Sequence, residues 1–269
     1  MTFIEKLAAA VRNNNSRLCI GLDPDPALMP VGIDIHDFNK AIIDATHDLV
    51  CAYKPNFAFY EAHAQSCGDE LRRTIIHIPK DIVVIGDAKR GDIGNTSKAY
   101  AKAILEDLAC DAVTVSPYLG FDSIEPFLQY KEKGIFILCR TSNTGAADFQ
   151  SLRCETEKGL RPLFEIVAEK AKAWNKHGNI GLVVGATAPE ELKRIRQNYP
   201  DMPLLIPGVG AQGGDLAQTV SNGFDVKGER TIINSSRQIL YASRGKDFAA
   251  AARKAAQTLR DQINQHLGQ

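Results

Sequence analysis

The chain has 269 residues, 44% hydrophobic and 24% charged, ordinary values for a globular protein long enough to bury a large core. Lys plus Arg and Asp plus Glu number 32 each, and this zero net charge argues against a general nucleic-acid or membrane-surface binder while allowing a local charged pocket. No apolar run approaches the roughly 18 residues of a membrane span, and neither the six cysteines (19, 51, 67, 110, 139, 154) nor the six scattered histidines have the close spacing of a metal or redox site.

The first stretch, MTFIEKLAAAVRNN, reads as a helix. Ile4, Leu7, Ala8 and Val11 fall at helical spacing, Thr2 with Glu5 makes a capping box, and Glu5 and Lys6 interrupt any secretory pattern. Cys19, Cys51 and Cys139 lie in apolar runs where a free thiol serves as a small hydrophobe, which suits a reducing, cytoplasmic setting. Eight runs with strand character follow: 18–22, 51–54, 82–87, 112–116, 135–139, 180–184, 203–206 and 231–234. They are apolar on consecutive positions, as strands covered on both faces should be.

Helical patterns separate these runs. Over 159–177, Leu160, Leu163, Phe164, Val167, Ala171 and Trp174 trace one face. Pro189 followed by Glu190 and Glu191 marks another helix start, and Leu259, Ile263 and Leu267 stripe the last helix. Two long loops, 140–158 and 208–230, are candidate lids, the second with room for a short helix. Eight strands alternating with helices, without a linker, predict a single α/β domain over 1–269: a (β/α)8 TIM barrel with an N-terminal capping helix. A doubly wound open sheet is the structural alternative, weakened by the lack of a Gly-x-Gly-x-x-Gly turn.

In such a barrel every strand C-terminus reaches one rim, where active sites form. The runs deliver Asp23, then Lys54 and Asn56, then Asp87 and Lys89, then Ser116. They continue with Arg140 to Asn143, Gly185-Ala186-Thr187, the glycines of PGVGAQGG, and Arg237. Singly, each has a plain structural explanation: Asp23 before Pro24 caps a turn, Lys54 snorkels outward, Arg237 is a solvated cation. Together, two lysines and two aspartates converge opposite glycine-rich loops and an arginine. Barrels often bind phosphate after strands seven and eight, so a small phosphorylated substrate follows.

At this point DAKRGDIGNT resembles the Asp-x-Lys-x-x-Asp signature of the orotidine 5′-monophosphate decarboxylases, in their longer bacterial branch. LCIGLDP, AYKPNFAFYE, RTSNTG, PGVGAQGG and NSSRQILYAS extend the likeness in order over essentially the whole chain. The resemblance implies a charge array of Lys54, Asp87, Lys89 and Asp92, with Asp92, Ile93 and Thr96 reaching across a homodimer into the partner's site. It implies that Asp23 and Lys54 meet ribose hydroxyls, that Ser142 and the Pro207 backbone meet the pyrimidine, and that Gln212 and Arg237 hold the phosphate. Ser235-Ser236 stand where other branches carry glycine before the arginine, which leaves the amides of the phosphate site open.

The implied reaction turns orotidine 5′-monophosphate into UMP and CO2 with no metal, flavin or pyridoxal. Lys89 beside C6 stabilises the in-plane carbanion and protonates it, and the flanking acids favour its ammonium form. Two other readings remain: a related barrel lyase acting on a sugar phosphate with magnesium, and a catalytically dead nucleotide-binding barrel.

Overall fold

A computed structural model describes residues 1–62, 67–210 and 213–268. Eight parallel strands close into a barrel: β1 (Leu18–Leu22), β2 (Ala52–Pro55), β3 (Val83–Arg90), β4 (Ala112–Val115), β5 (Gly134–Arg140), β8 (Ile180–Val184), β9 (Leu204–Pro207) and β10 (Thr231–Ser235). Each pairs with the barrel strand before it in sequence, and β1 meets β10 to complete the ring. All eight expected runs are in the barrel, which removes the open-sheet alternative. β6 (Arg153–Thr156) and β7 (Gly159–Pro162) form a separate antiparallel hairpin.

That hairpin corrects two expectations. It occupies part of what reads as the 140–158 loop, and it takes Leu160 off the helical face and leaves it exposed. The helix starts only at Leu163 and ends at Trp174. Pro162, in extended conformation, caps its start, while Gly159 turns the hairpin at φ +90°. A periodicity count cannot see either local signal, because Leu160 sits at the right spacing by coincidence. Elsewhere Pro189–Asn198 starts on its proline, Leu216–Gly223 sits within the 208–230 loop, and Phe248–His266 buries Leu259 and Ile263, although Leu267 falls just past its end as the cap.

The N-terminal helix, Phe3–Asn14, plugs the lower end of the barrel. Its capping box is closed in both directions between Thr2 and Glu5. Phe3, Leu7, Ala10 and Val11 pack onto the inward layer formed by Cys19, Ala52, Ile85, Ala112, Phe136, Val183, Leu205 and Ile232. Lys6 anchors it to Asp111 at 2.6 Å. The rings of Phe3 and Phe136 meet edge to face at 5.6 Å. Gly181 makes space for this pair: a Cβ there would stand 2.6 Å from the Phe136 ring. Burial also pushes the thiols of Cys51, Cys110 and Cys139 up to about 12, so they behave as apolar filler.

With the lower end closed by hydrophobic packing, the inward positions alternate upward along each strand and become polar towards the C-terminal rim. Lys54, Asp87, Thr114 and Asn234 each stand two residues beyond an apolar inward residue: Ala52, Ile85, Ala112 and Ile232. No described helix is long and apolar enough to cross a membrane.

Because Phe136 is fully buried between the plug and the barrel wall, Phe136→Ala is expected to lower unfolding free energy by about 3–5 kcal/mol. Urea denaturation reads this as a lower midpoint at unchanged slope. A loss below about 1 kcal/mol would mean that the plug does not depend on this ring.

Candidate active site

The C-terminal rim encloses a cavity of about 630 Å3. Its charged floor is a single carboxylate shared by two lysines. Lys54 Nζ donates to Asp87 Oδ2 at 2.6 Å, and Lys89 Nζ donates to Asp87 Oδ1 at 2.7 Å. Lys54 is only 5% exposed and does not snorkel outward, whereas the Lys89 side chain is half exposed and opens onto the cavity. Burial alone would raise the Asp87 carboxyl, but Lys54 and Lys89 outweigh it and hold the group well below the usual carboxylate range. Burial likewise opposes the Lys54 ammonium, and Asp87 and Asp23 overcome that and raise it above the ordinary lysine value.

These directions fix the pH behaviour of the pair. The Asp87 contribution to stability is complete above the ordinary aspartate value and is lost only as pH falls through the lowered one. The Lys54 contribution is complete below the ordinary lysine value and is lost as pH rises through the raised one. The pair therefore stays ionised across the neutral range.

Local backbone geometry aims these groups. Along β3 and β4, Gly86 pairs with Val113 and Arg90 with Val115, so Asp87, Ala88 and Lys89 stand opposite Thr114 alone. Lys89 sits in this bulge at φ +47°, a conformation rare for a side chain of its size. The bulge also separates the four charges of the signature. Arg90 leaves the cavity, pairing with Glu61 and lying over the Tyr100 ring at 5.0 Å. The Asp92 carboxylate accepts the Ile93 N–H at 2.7 Å, while the Lys89 ammonium of the same chain donates to Asp87. Ile93 is 52% exposed, Thr96 is also exposed, and neither lines the chain's own cavity.

The remaining expected residues divide in the same way. Asp23, Ser142, Pro207 and Arg237 all line the cavity. Asp23 does not cap its turn: Asp25 does, accepting the Ala27 N–H at 3.0 Å. Asp23 Oδ1 is buried without a hydrogen-bond partner, an acceptor held ready for a donor. Ser142 nests against Gly185, where a Cβ would come within 2.8 Å of the Ser142 backbone. Gln212 lies outside the described residues. Thr141 and Asn143 line the cavity beside Ser142, but Arg140 turns away towards Glu191.

Two expectations need correction. Three of the glycine amides after β9 that could have faced an anion are taken: those of Gly210, Gly213 and Gly214 donate to carbonyls of Gly214, Gly210 and Gly208, whereas Gly208 itself lines the cavity. Arg237, exposed and lining the cavity, is available as a cation. From β4 the side chain that enters is Thr114, not Ser116. Ser116 is past the strand end, and its amide donates to the Arg90 carbonyl at 2.8 Å.

Thr114 was not singled out from sequence, nor was Gln150, which bonds Thr141 at the cavity wall; Asn234, the first residue of the NSSRQ stretch, lines the cavity at the end of β10. Strand alternation would have found Thr114 once the inward register was known. Gln150 reaches the site through its loop, and no spacing rule points to it. Leu138, Val183 and Leu205 add apolar surface to the cavity lining. The site thus combines a fixed row of charge, a patch of apolar lining, and a cation at the loop after β10. That arrangement suits a polar, anionic small molecule.

Comparisons with known proteins identify the family of this barrel. Residues 16–255 match the family described as "Orotidine 5'-phosphate decarboxylase / HUMPS family". A protein named orotidine 5'-phosphate decarboxylase from Dehalococcoides mccartyi (strain CBDB1) is 58% identical over 266 residues, covering 99% of this chain and 98% of its own. One of the same name from Ralstonia nicotianae is 53% identical over 275 residues, covering 99% of each chain. Among solved structures, the OMP decarboxylase of Leishmania donovani superposes with a TM-score of 0.87 at 38% identity, with both chains fully covered. With a family match across most of its length and full-length relatives at this level of identity, the chain belongs to the orotidine 5′-phosphate decarboxylase / HUMPS family.

Proposed function

We propose that this chain, as one catalytic domain over residues 1–269, decarboxylates orotidine 5′-monophosphate to UMP and CO2. The observation that carries this reading is the Lys54–Asp87–Lys89 row on the cavity floor. The names of the relatives at 53–58% identity favour the decarboxylase over the sugar-phosphate lyase within the same family.

In this mechanism the C6–carboxylate bond breaks heterolytically. CO2 leaves as a neutral molecule and the electron pair stays on C6, in the ring plane, where the π-system cannot take it up. The Lys89 ammonium stabilises that charge and then gives C6 its proton. It recovers a proton from water before the next turnover. Asp87 holds the ammonium in place and, with Lys54 on its other oxygen, needs no rearrangement as charge develops. Asp23 and Lys54 take the ribose hydroxyls, Ser142 and the Pro207 backbone the pyrimidine, and Gln212 with Arg237 the phosphate. Phosphate binding, remote from C6, drives closure of the 208–230 loop.

The working unit is a homodimer in which Asp92, Ile93 and Thr96 enter the partner's site. Supporting this are the exposed Ile93, Tyr118 and Leu119, apolar side chains on the loops that follow the adjacent strands β3 and β4. We place the enzyme in the cytoplasm, where its free buried thiols are at home.

Lys89→Ala is expected to fold normally and to lose nearly all turnover, by many factors of ten at about 1.4 kcal/mol each. A folded variant keeping about a tenth of wild-type kcat would remove Lys89 from the chemistry. Loss of orotidine 5′-monophosphate absorbance should proceed unchanged in EDTA, and a requirement for added magnesium would favour the lyase reading.

Arg237→Ala is expected to lower kcat/KM by about tenfold or more with the phosphorylated substrate, as loss of a charged hydrogen bond would. With orotidine, which lacks the phosphate, the change should be much smaller. Equal losses on both substrates would take Arg237 out of the phosphate site.

For the dimer, two inactive variants, Lys89→Ala and Asp92→Ala, are mixed under conditions of proven subunit exchange. A heterodimer then has one site with both lesions and one with neither. Random exchange puts about half the molecules in heterodimers, so about a quarter of all sites should regain full activity. No recovery would return Asp92 to its own chain.

A further inference from the structure

The bulge that aims Lys89 leaves a backbone problem. Three residues of β3 face one of β4, so the ladder cannot supply a partner for every amide between Gly86 and Arg90. Thr114, the one residue opposite, fills the gap with its side chain. The Lys89 N–H donates to Thr114 Oγ1 at 3.0 Å, and the Thr114 hydroxyl donates to Asp87 Oδ1 at 2.9 Å. Lys89 Nζ donates to the same Oδ1 at 2.7 Å. These bonds close a ring: Lys89 amide, Thr114 hydroxyl, Asp87 carboxylate, Lys89 ammonium.

Each link has a defined direction. Because Lys89 N–H can only donate, the hydroxyl must accept there, and its own proton must go to the carboxylate. Thr114 is 1% exposed, so water does not compete for either bond. Asp87 Oδ2 belongs to Lys54, so the two carboxylate oxygens have separate duties and the carboxyl plane is fixed from both sides. The left-handed backbone of Lys89, φ +47°, persists only where its surroundings over-determine it, and the bond to Thr114 is one such constraint.

We propose that Thr114 is a positioning residue of the decarboxylation: its hydroxyl locks the Lys89 backbone and the Asp87 carboxylate together and so sets where the Lys89 ammonium meets C6. The proposal rests on the assignment of Lys89 as the stabilising and proton-donating group. Apolar side chains of similar size would fit the space but could not close the ring. A small displacement of an ammonium that must face a carbanion-like carbon is enough to reduce the rate by about a hundredfold.

The test compares Thr114→Val, which keeps the shape and removes the hydroxyl, with Thr114→Ser, which keeps the hydroxyl. Both are measured for kcat and KM on orotidine 5′-monophosphate, for UMP affinity, and for hydrogen exchange at the Lys89 amide. The expected result for Thr114→Val is a kcat lower by about a hundredfold, UMP affinity and KM little changed, and faster exchange at Lys89. Thr114→Ser should return most of the rate and the protection. Should the valine variant not fold, Thr114→Cys, whose thiol donates and accepts only weakly, replaces it. Wild-type kcat in Thr114→Val while Lys89→Ala is inactive overturns the role of Thr114 alone. A serine variant as slow as the valine variant, or a loss confined to KM, does the same. An active Lys89→Ala variant instead overturns the parent assignment, so the two failures have different signatures.

Discussion

One carboxylate shared between two ammonium groups organises this protein's functional end. Asp87 is buried, and a buried carboxylate is tolerable only with its charge and its lone pairs answered. Lys54 answers one oxygen, and Lys89 with Thr114 answers the other. Removing Lys54 leaves one of these oxygens without its donor inside a barrel whose neighbouring layer is apolar, whereas the other keeps one donor if either Lys89 or Thr114 is lost. The same need for satisfaction that makes the cluster costly to break also makes it rigid. In the proposed reaction that rigidity has a chemical use: a cation that is already oriented stabilises developing charge without reorganising.

The barrel makes this arrangement possible by dividing its interior into two ends. At the lower end, the helix Phe3–Asn14 and the Phe3–Phe136 pair close the structure with hydrophobic contact. At the upper end the same strands, two residues further on, turn polar. Stability is concentrated where no chemistry occurs, which allows the rim to hold a left-handed lysine backbone and buried acceptors on Asp23 and Asn234 without bonding partners. Unmatched acceptors are unfavourable in an empty cavity. They become favourable contacts when a ligand brings donors, so part of the site's polarity is complementary to substrate and not to itself.

The signature DAKRGDIGNT gains a physical meaning from the bulge in β3. A regular strand would send Asp87 and Lys89 inward and Arg90 outward by alternation alone. The extra residues change the path of the chain so that Arg90 reaches Glu61 and Tyr100, while Asp92 and Ile93 leave the rim. One ten-residue segment therefore serves the chain's own cavity with its first half and presents its second half outward. Exposed apolar groups on that outward side, Ile93, Tyr118 and Leu119, mark where a second subunit would sit in the proposed homodimer.

The sequence alone determined the barrel, because buried parallel strands leave consecutive apolar runs and eight such runs alternating with helices have few other solutions. It also determined which residues stand at strand ends, since chain order and strand direction put every C-terminus on one rim; Asp23, Lys54, Asp87, Lys89, Ser142, Pro207 and Arg237 all line the cavity for that reason. What it did not contain was where each strand stops and the paths of irregular backbone. Thr114 and not Ser116 enters from β4 because, although the two positions share one strand face, the strand ends at Val115 and Ser116 lies past it. The 153–162 hairpin displaced a helical reading because helical spacing at Leu160 carries no information about the turn at Gly159. The amides of Gly210, Gly213 and Gly214 donate to carbonyls of neighbouring glycines after β9, a closure of distance that no residue type announces. Side-chain identity is local and can be read in order. The meeting of Lys54, Asp87, Lys89 and Thr114, which come from three strands, is a consequence of closing the barrel, and only the tertiary structure decides which atoms touch.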